Sequence, residues 1–261
     1  MDIKKYYTSL ILVPTIFIYF MVAAYGMNFG GPIIGTLLAN LVLIGSLSFL
    51  WYKDKTLETE GNYITEGELR DNRRDIIISY VLIVLLWLFG QFVFLWIYQT
   101  FGDETYTKNY ANVFSDPSAI FFTIILTTIV APIAEELLFR YVLFGRLMFK
   151  NGQPSILRYV FLYLLSSISF GLIHGTWIHQ IFVIPLGLVL GMLMYKTNRI
   201  QYPIIGHILF NSMSIWGGKL LVVYKSLLDN VLVVGTMITV YIVLIVGIIG
   251  FVITRRKGWF G

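Results

Sequence analysis

Apolar residues run along this chain in long blocks separated by short polar punctuation. The blocks show neither the alternation of a half-buried strand nor the single stripe of a soluble amphipathic helix. A helix that is apolar on all sides lies in lipid or in a fully buried core. About 20 such residues are needed to cross a bilayer. Eight stretches approach that length, at about 7–25, 32–52, 76–99, 118–148, 157–174, 179–195, 202–223 and 230–253. The pattern predicts an all-α fold, a polytopic membrane helix bundle of about eight transmembrane helices. The fourth stretch is longer than a bilayer requires and is expected to project into the cytosol. The fifth to seventh are short or carry polar residues, as buried spans do.

Composition agrees with this reading. The 261 residues are 57% hydrophobic and only 13% charged, against about a quarter charged in a soluble domain. Mean hydropathy is +0.79. The bundle reads as a single domain over residues 1–261 in the cell membrane, crossing it several times. Cysteine is absent, which excludes disulfide and thiolate chemistry. The first stretch follows Lys4 and Lys5 but is long for a signal peptide and lacks a small-x-small cleavage site, so it reads as a retained span or signal anchor.

Basic residues set the orientation. With the N-terminus inside, fifteen Lys and Arg fall on one side of the membrane and three (Lys108, Lys219, Lys225) on the other. Both termini are therefore expected in the cytoplasm. The net charge of +5 belongs to that basic face and gives no reason to expect nucleic acid as a partner. Residues 53–75 mix five basic and seven acidic side chains and read as a solvated cytoplasmic loop. Asp116 and Pro117 suit the N-cap and first turn of the fourth span. Gly187 and Gly191 form a G-x-x-x-G, read as close helix packing.

Against this apolar background, Glu135 and Glu136 stand side by side, with Arg140 close behind. A charge at mid-membrane costs about 3 kcal/mol on insertion scales, so such residues face a bundle interior or a watery cavity. Glu136 and Arg140 are four apart and share a helix face. Glu135 points about 100° away around the helix. Pro132 removes a backbone donor just upstream and is expected to bend or loosen the helix. Two further spans carry Phe170-x-x-x-His174 and His207-x-x-x-Asn211. His207 and Asn211 share a face and form a candidate donor pair. Together the side chains offer a general base (Glu135), an ion pair supporting it (Glu136, Arg140), a histidine partner (His174) and donors for an oxyanion (His207, Asn211). Those are the parts that hydrolysis of an amide requires. Taken singly, each has a structural reading: an ion-pair clamp, an interhelical histidine bond, an asparagine that joins helices, a packing phenylalanine at Phe170. His179 reads as interfacial.

In this order and on three separate spans, the three motifs resemble those of the CAAX-protease and bacteriocin-processing (Abi) family. The resemblance covers about residues 118–215. It implies an eight-helix intramembrane endopeptidase in which Glu135 and His174 activate water. Glu136 and Arg140 would support the site and engage substrate, and His207 and Asn211 would form the oxyanion hole. The substrate expected is a membrane-associated peptide or protein, within the lipid bilayer. The family has been read both as metal-free and as zinc-dependent. No cofactor is favoured here, because Asn211 suits an oxyanion better than a metal. Zinc held by Glu135, His174 and His207 stays open as the alternative. A second class of function is a non-catalytic membrane scaffold, immunity or regulatory protein acting through a membrane-protein partner. A transporter would require paired broken helices, which the sequence lacks. One conflict stands. Counted from its expected start at Arg158, His174 lies about 24 Å along its helix, whereas His207 lies only five residues past Tyr202. Spans beginning at one plane would keep the two histidines apart.

Overall fold

The computed structural model describes residues 33–52, 73–101, 117–146, 156–174, 177–197 and 199–254, together with Ile18 and Met21. Among them the structure is helical, interrupted by short turns. α1 is Ile33–Tyr52 and α2 is Arg73–Phe101. α3 runs from Pro117 to Arg146 in four consecutive pieces. α4 is Ile156–Leu172, α5 Trp177–Thr197, α6 Gln201–Trp216, α7 Gly218–Leu227 and α8 Val231–Thr254. Five helices (α1, α2, α3, α5, α8) are long and apolar enough to cross a membrane. The chain is a multi-pass membrane protein built as an all-α bundle.

The expected span at 7–25 lies outside the described residues apart from Ile18 and Met21. Two other expectations are corrected. The stretch 202–223 is two helices that meet at Gly217, where the backbone turns to φ −77° and ψ 6°. Trp87 of α2 occupies the space beside Gly217, 2.3 Å from where a Cβ would stand. An apolar count merges the two because both flanks are apolar, although Gly217-Gly218-Lys219 marks the break in the sequence. The charged loop is also shorter than expected. Arg73 to Asp75 already belong to α2, and Asp75 is buried, with Lys196 Nζ of α5 3.4 Å from its carboxylate. Residues 53–72 lie outside the described residues. Pro117 opens α3 as its rigid φ favours, while Asp116 lies outside them.

α5 is the central helix and packs against α2, α3, α4, α6 and α8. Its glycines allow the closest approach. A Cβ on Gly187 would meet the Ser167 carbonyl of α4 at 3.1 Å, and one on Gly191 would meet the Tyr163 ring at 2.9 Å. The G-x-x-x-G is thus a helix-packing face, as in membrane bundles generally. Tyr163 hydroxyl donates to the Leu188 carbonyl across the same seam.

Among the described residues two prolines lie beyond the first turn of a helix, and each frees a carbonyl that another helix satisfies. Pro185 of α5 cannot donate to Ile181 four residues earlier, and the Tyr241 hydroxyl of α8 donates to that carbonyl at 3.1 Å. Pro132 acts similarly in α3. Just before it, Leu126–Val130 widens to π-helical turns, and Ala131 N–H donates back to Leu126 O, five residues away. The next such bond would run from residue 132 to Thr127 O, and proline has no N–H to make it. Asn211 Nδ2 of α6 donates to Thr127 O at 2.8 Å instead. After the short α-helical piece Ala131–Glu136, the π-helical geometry resumes over Leu137–Arg146. The glutamates therefore sit on a short regular helical piece between two wide ones.

Candidate active site

Glu136 and Arg140 are both completely buried, with Arg140 Nε 3.2 Å from Glu136 Oε2. Arg140 is held on three sides. Its Nη2 donates to the Gly187 carbonyl of α5 at 3.2 Å, and its Cζ stands 4.2 Å from the centre of the Phe170 ring. This cation–π contact is of the kind that gains strength away from water. Phe170 is itself fully buried, with Phe139 edge-on to it at 5.6 Å.

The other oxygen of Glu136 faces His207, whose Nδ1 lies 3.0 Å from Glu136 Oε1. A carboxylate paired with arginine accepts, so the proton of this bond sits on Nδ1. His207 Nε2 then faces Glu135 Oε2 at 3.8 Å. From α4's end comes His174, whose Nε2 is 3.6 Å from the same oxygen. Its Nδ1 lies 2.6 Å from the Phe170 carbonyl, which can only accept, so that nitrogen also carries the proton. Two imidazole Nε2 atoms thus converge on one carboxylate oxygen, and Glu135 Oε2 has no hydrogen-bond partner of its own.

Burial divides the group. Glu136, Arg140 and His207 are at most 2% exposed, whereas Glu135 and His174 are 21% and 27% exposed. The first three form a closed inner layer, and the last two are partly exposed beside it, with Glu135 Oε2 itself on the buried side.

All six residues singled out in the sequence are placed. Glu135, His174 and His207 come together, and Glu136 and Arg140 stand behind them. Asn211 is one turn beyond His207 on α6, but its described contact is the Thr127 carbonyl. Its amide nitrogen is therefore partly engaged in holding α6 to α3. The conflict over depth is resolved by packing. The Gly187 level of α5 meets Ser167 and Phe170 of α4, while Leu190 and Leu193, about one turn further along α5, meet Gly206 of α6. The two histidine-bearing helices are thus offset by about one turn, or ~5 Å, far less than equal starting planes would give. The His174 ring also folds back over Phe170, with ring centres 4.8 Å apart, and this closes the remainder.

Sequence reasoning read Phe170 only as packing and missed two main-chain contributors. Phe170 touches both imidazoles and the guanidinium, with the His207 ring edge-on at 5.3 Å. The Gly187 and Thr127 carbonyls bind Arg140 and Asn211, and a main-chain acceptor leaves no mark in residue type. His179, read as interfacial, lies in the first turn of α5 against Phe94, with ring centres 5.9 Å apart.

The donor set of Glu135 with His174 and His207 is chemically suited to zinc, with two neutral nitrogens and a carboxylate. Among the described residues, however, no three such side chains are grouped closely enough to hold a metal ion as they stand. The same convergence of acceptors suits a bound water, whose two protons both need acceptors.

Residues 117–213 match the family described as Type II CAAX prenyl endopeptidase Rce1-like. The chain is also 31% identical over 115 residues to a Bacillus subtilis (strain 168) protein described as "Putative membrane peptidase YdiL". That similarity covers 44% of this chain and 45% of the relative, so the chain spans less than half of the relative's length. No solved structure matches. The matched segment contains Glu135, Glu136, Arg140, Phe170, His174, His207 and Asn211, and over these residues the chain is similar to the CAAX-protease family.

Proposed function

We propose that the protein is an intramembrane endopeptidase that hydrolyses a peptide bond in a membrane-associated peptide or protein, using water activated by Glu135. The observation that carries this reading is the convergence of His174 Nε2 and His207 Nε2 on the unpartnered Glu135 Oε2. A water held there donates one proton to Glu135 and the other to His174, and its lone pair is left for a carbonyl carbon. Acid–base groups of this kind contribute roughly 10²–10⁴ in rate.

Behind the base, Glu136 with Arg140 holds His207 in one tautomer through Nδ1. The proton that Glu135 takes from the water passes to His207 Nε2, 3.8 Å away, which then donates to the developing oxyanion and later returns the proton to the leaving amine. Asn211, on the same face of α6, supplies an amide N–H beside it. Removing one oxyanion donor costs about 3–4 kcal/mol in proteases of other folds. Both termini are taken as cytoplasmic, so the reaction would serve the cytoplasmic half of the bilayer.

If zinc is the native cofactor, Glu135, His174 and His207 are the residues that would hold it, and it would supply a more acidic water. The metal-free reading is preferred because Asn211 and His207 read as paired donors.

The test compares the membrane proteins and peptides of cells expressing the wild type with those expressing Glu135→Gln, by sequencing new chain termini. Termini that appear only with the wild type support the peptidase reading. Identical sets of termini contradict it.

A further inference from the structure

The wide turn before the glutamates has a consequence for Asn211. Thr127 O lies where a π-helical bond from residue 132 would end, and Pro132 leaves it empty. Ala131 N–H is already committed to Leu126 O. A buried carbonyl without a donor is costly, by about 1–3 kcal/mol, and the donor here is Asn211 Nδ2 at 2.8 Å. A carbonyl only accepts, so this contact decides which end of the Asn211 amide faces α3. One N–H points at Thr127, and the other N–H and Oδ1 are thereby fixed in direction. Without such a partner the amide could present either its oxygen or its nitrogen to the site. An oxygen there would repel an oxyanion. The Thr127 side chain does not compete, since its hydroxyl donates to the Thr123 carbonyl at 2.8 Å.

We propose that Pro132 is a positioning residue: by lacking an N–H it keeps the Thr127 carbonyl open as the acceptor that orients the Asn211 amide for donation to substrate. The amide's use in catalysis rests on the peptidase reading above; its orientation does not. The arrangement at Pro185, where Tyr241 satisfies the carbonyl that the proline frees, shows the same physical response elsewhere in the chain. There no ionisable group of the site is involved, which makes it an internal control.

The experiment separates the missing N–H from the proline ring. Three proteins are prepared in nanodiscs with ¹⁵N-labelled asparagine: the wild type, Pro132→Ala, and a protein carrying lactic acid at position 132. Lactic acid replaces the amide with an ester, so this third protein has neither ring nor N–H. Replacing proline with alanine inside a helix favours folding, so the variants retain the bundle. The Asn211 side-chain amide signal is assigned by its loss in Asn211→Ala. In Pro132→Ala the new N–H competes for Thr127 O. The Asn211 signal should then shift, and its amide protons should exchange roughly fivefold to tenfold faster, the equivalent of one hydrogen bond. The ester protein should keep the wild-type signal and exchange rate. The yield of termini that depend on Glu135 should fall in Pro132→Ala and recover in the ester protein.

An unchanged Asn211 signal in Pro132→Ala overturns the proposal, as does an ester protein that behaves like Pro132→Ala. A shifted signal with undiminished cleavage overturns the positioning role while leaving the peptidase reading intact. Absence of Glu135-dependent termini in the wild type itself defeats the peptidase reading and the catalytic part of this one. The amide signal alone then decides whether Pro132 orients Asn211.

Discussion

His207 Nδ1 stands 3.0 Å from Glu136 Oε1, so the second glutamate binds the histidine with one oxygen and Arg140 with the other. All three side chains are buried, on α3 and α6. The adjacent Glu135 is partly exposed and meets His174. Neighbours in sequence have thus been given different tasks by 100° of helix rotation: one closes the interior network and the other is partly exposed beside it.

This division gives the first prediction. Arg140→Ala leaves Glu136 buried with half its partners gone, and breaking a buried pair costs about 3–5 kcal/mol. Melting of the purified protein in detergent should fall sharply. Arg140→Lys should recover only part of the loss, because an ammonium cannot reach Glu136, the Gly187 carbonyl and the Phe170 face together as the planar fork does. A melt unchanged by Arg140→Ala would show that the pair contributes nothing to the fold.

Glu135→Gln and His174→Ala should behave in the opposite way. Both side chains are at the exposed edge, so their loss should barely move the melt. Product yield should drop by roughly 10²–10⁴. Wild-type yield from either variant would remove that residue from the proposed reaction.

The seam between α4 and α5 yields a third expectation. Gly187→Ala pushes a methyl against the Ser167 main chain and the Phe170 ring, and overpacking of this sort costs about 1–3 kcal/mol. It also displaces the carbonyl that anchors Arg140. Gly235→Ala on α8 meets nothing within 4 Å and should be neutral or stabilise by up to about 1 kcal/mol. Equal melting of the two variants would contradict the close α4–α5 packing.

Pro185 and Tyr241 offer a fourth, independent of activity. Tyr241→Phe strands the Ile181 carbonyl and should cost about 1–3 kcal/mol. In a Pro185→Ala background the restored N–H satisfies that carbonyl, and the same tyrosine change should cost much less. A double-mutant cycle of melting data reads the coupling; additive effects would mean that the tyrosine does not serve the proline's carbonyl.

Much of this architecture was legible because it depends on short-range periodicity. The four-residue spacing of Glu136 and Arg140 fixes their pairing whatever surrounds them. Hydropathy found α2, α5 and α8 to within about three residues at each end. It merged α6 with α7 across Gly217-Gly218-Lys219, where the apolar flanks outweighed the glycine pair; Trp87 of a distant helix fills the space beside Gly217. It also misjudged the depth of His174 relative to His207, which is set by the stagger of α4, α5 and α6 and by a ring that folds back on Phe170. The Asn211 contact was out of reach for another reason. Pro132 announced a loosened helix, but the carbonyl left empty depends on whether the turn is α- or π-helical, and both are compatible with the same residues.

Metal dependence is settled by one assay. With Glu135 as a base for water, cleavage by purified protein should survive exhaustive chelation, and elemental analysis should find well under one zinc per chain. One equivalent of zinc, with activity lost on chelation and restored by zinc alone, would recast Glu135, His174 and His207 as ligands and leave the peptidase reading standing.

The central claim is that Glu135 directs water at a peptide bond, and the oxygen of that water can be followed. Purified protein in nanodiscs is incubated in ¹⁸O-water with membrane extract from cells that lack it, and new carboxyl termini are examined by mass spectrometry. The wild type should generate termini that carry ¹⁸O, while Glu135→Gln and His174→Ala, melting as the wild type does, generate almost none. Equal labelled product from Glu135→Gln would contradict the account.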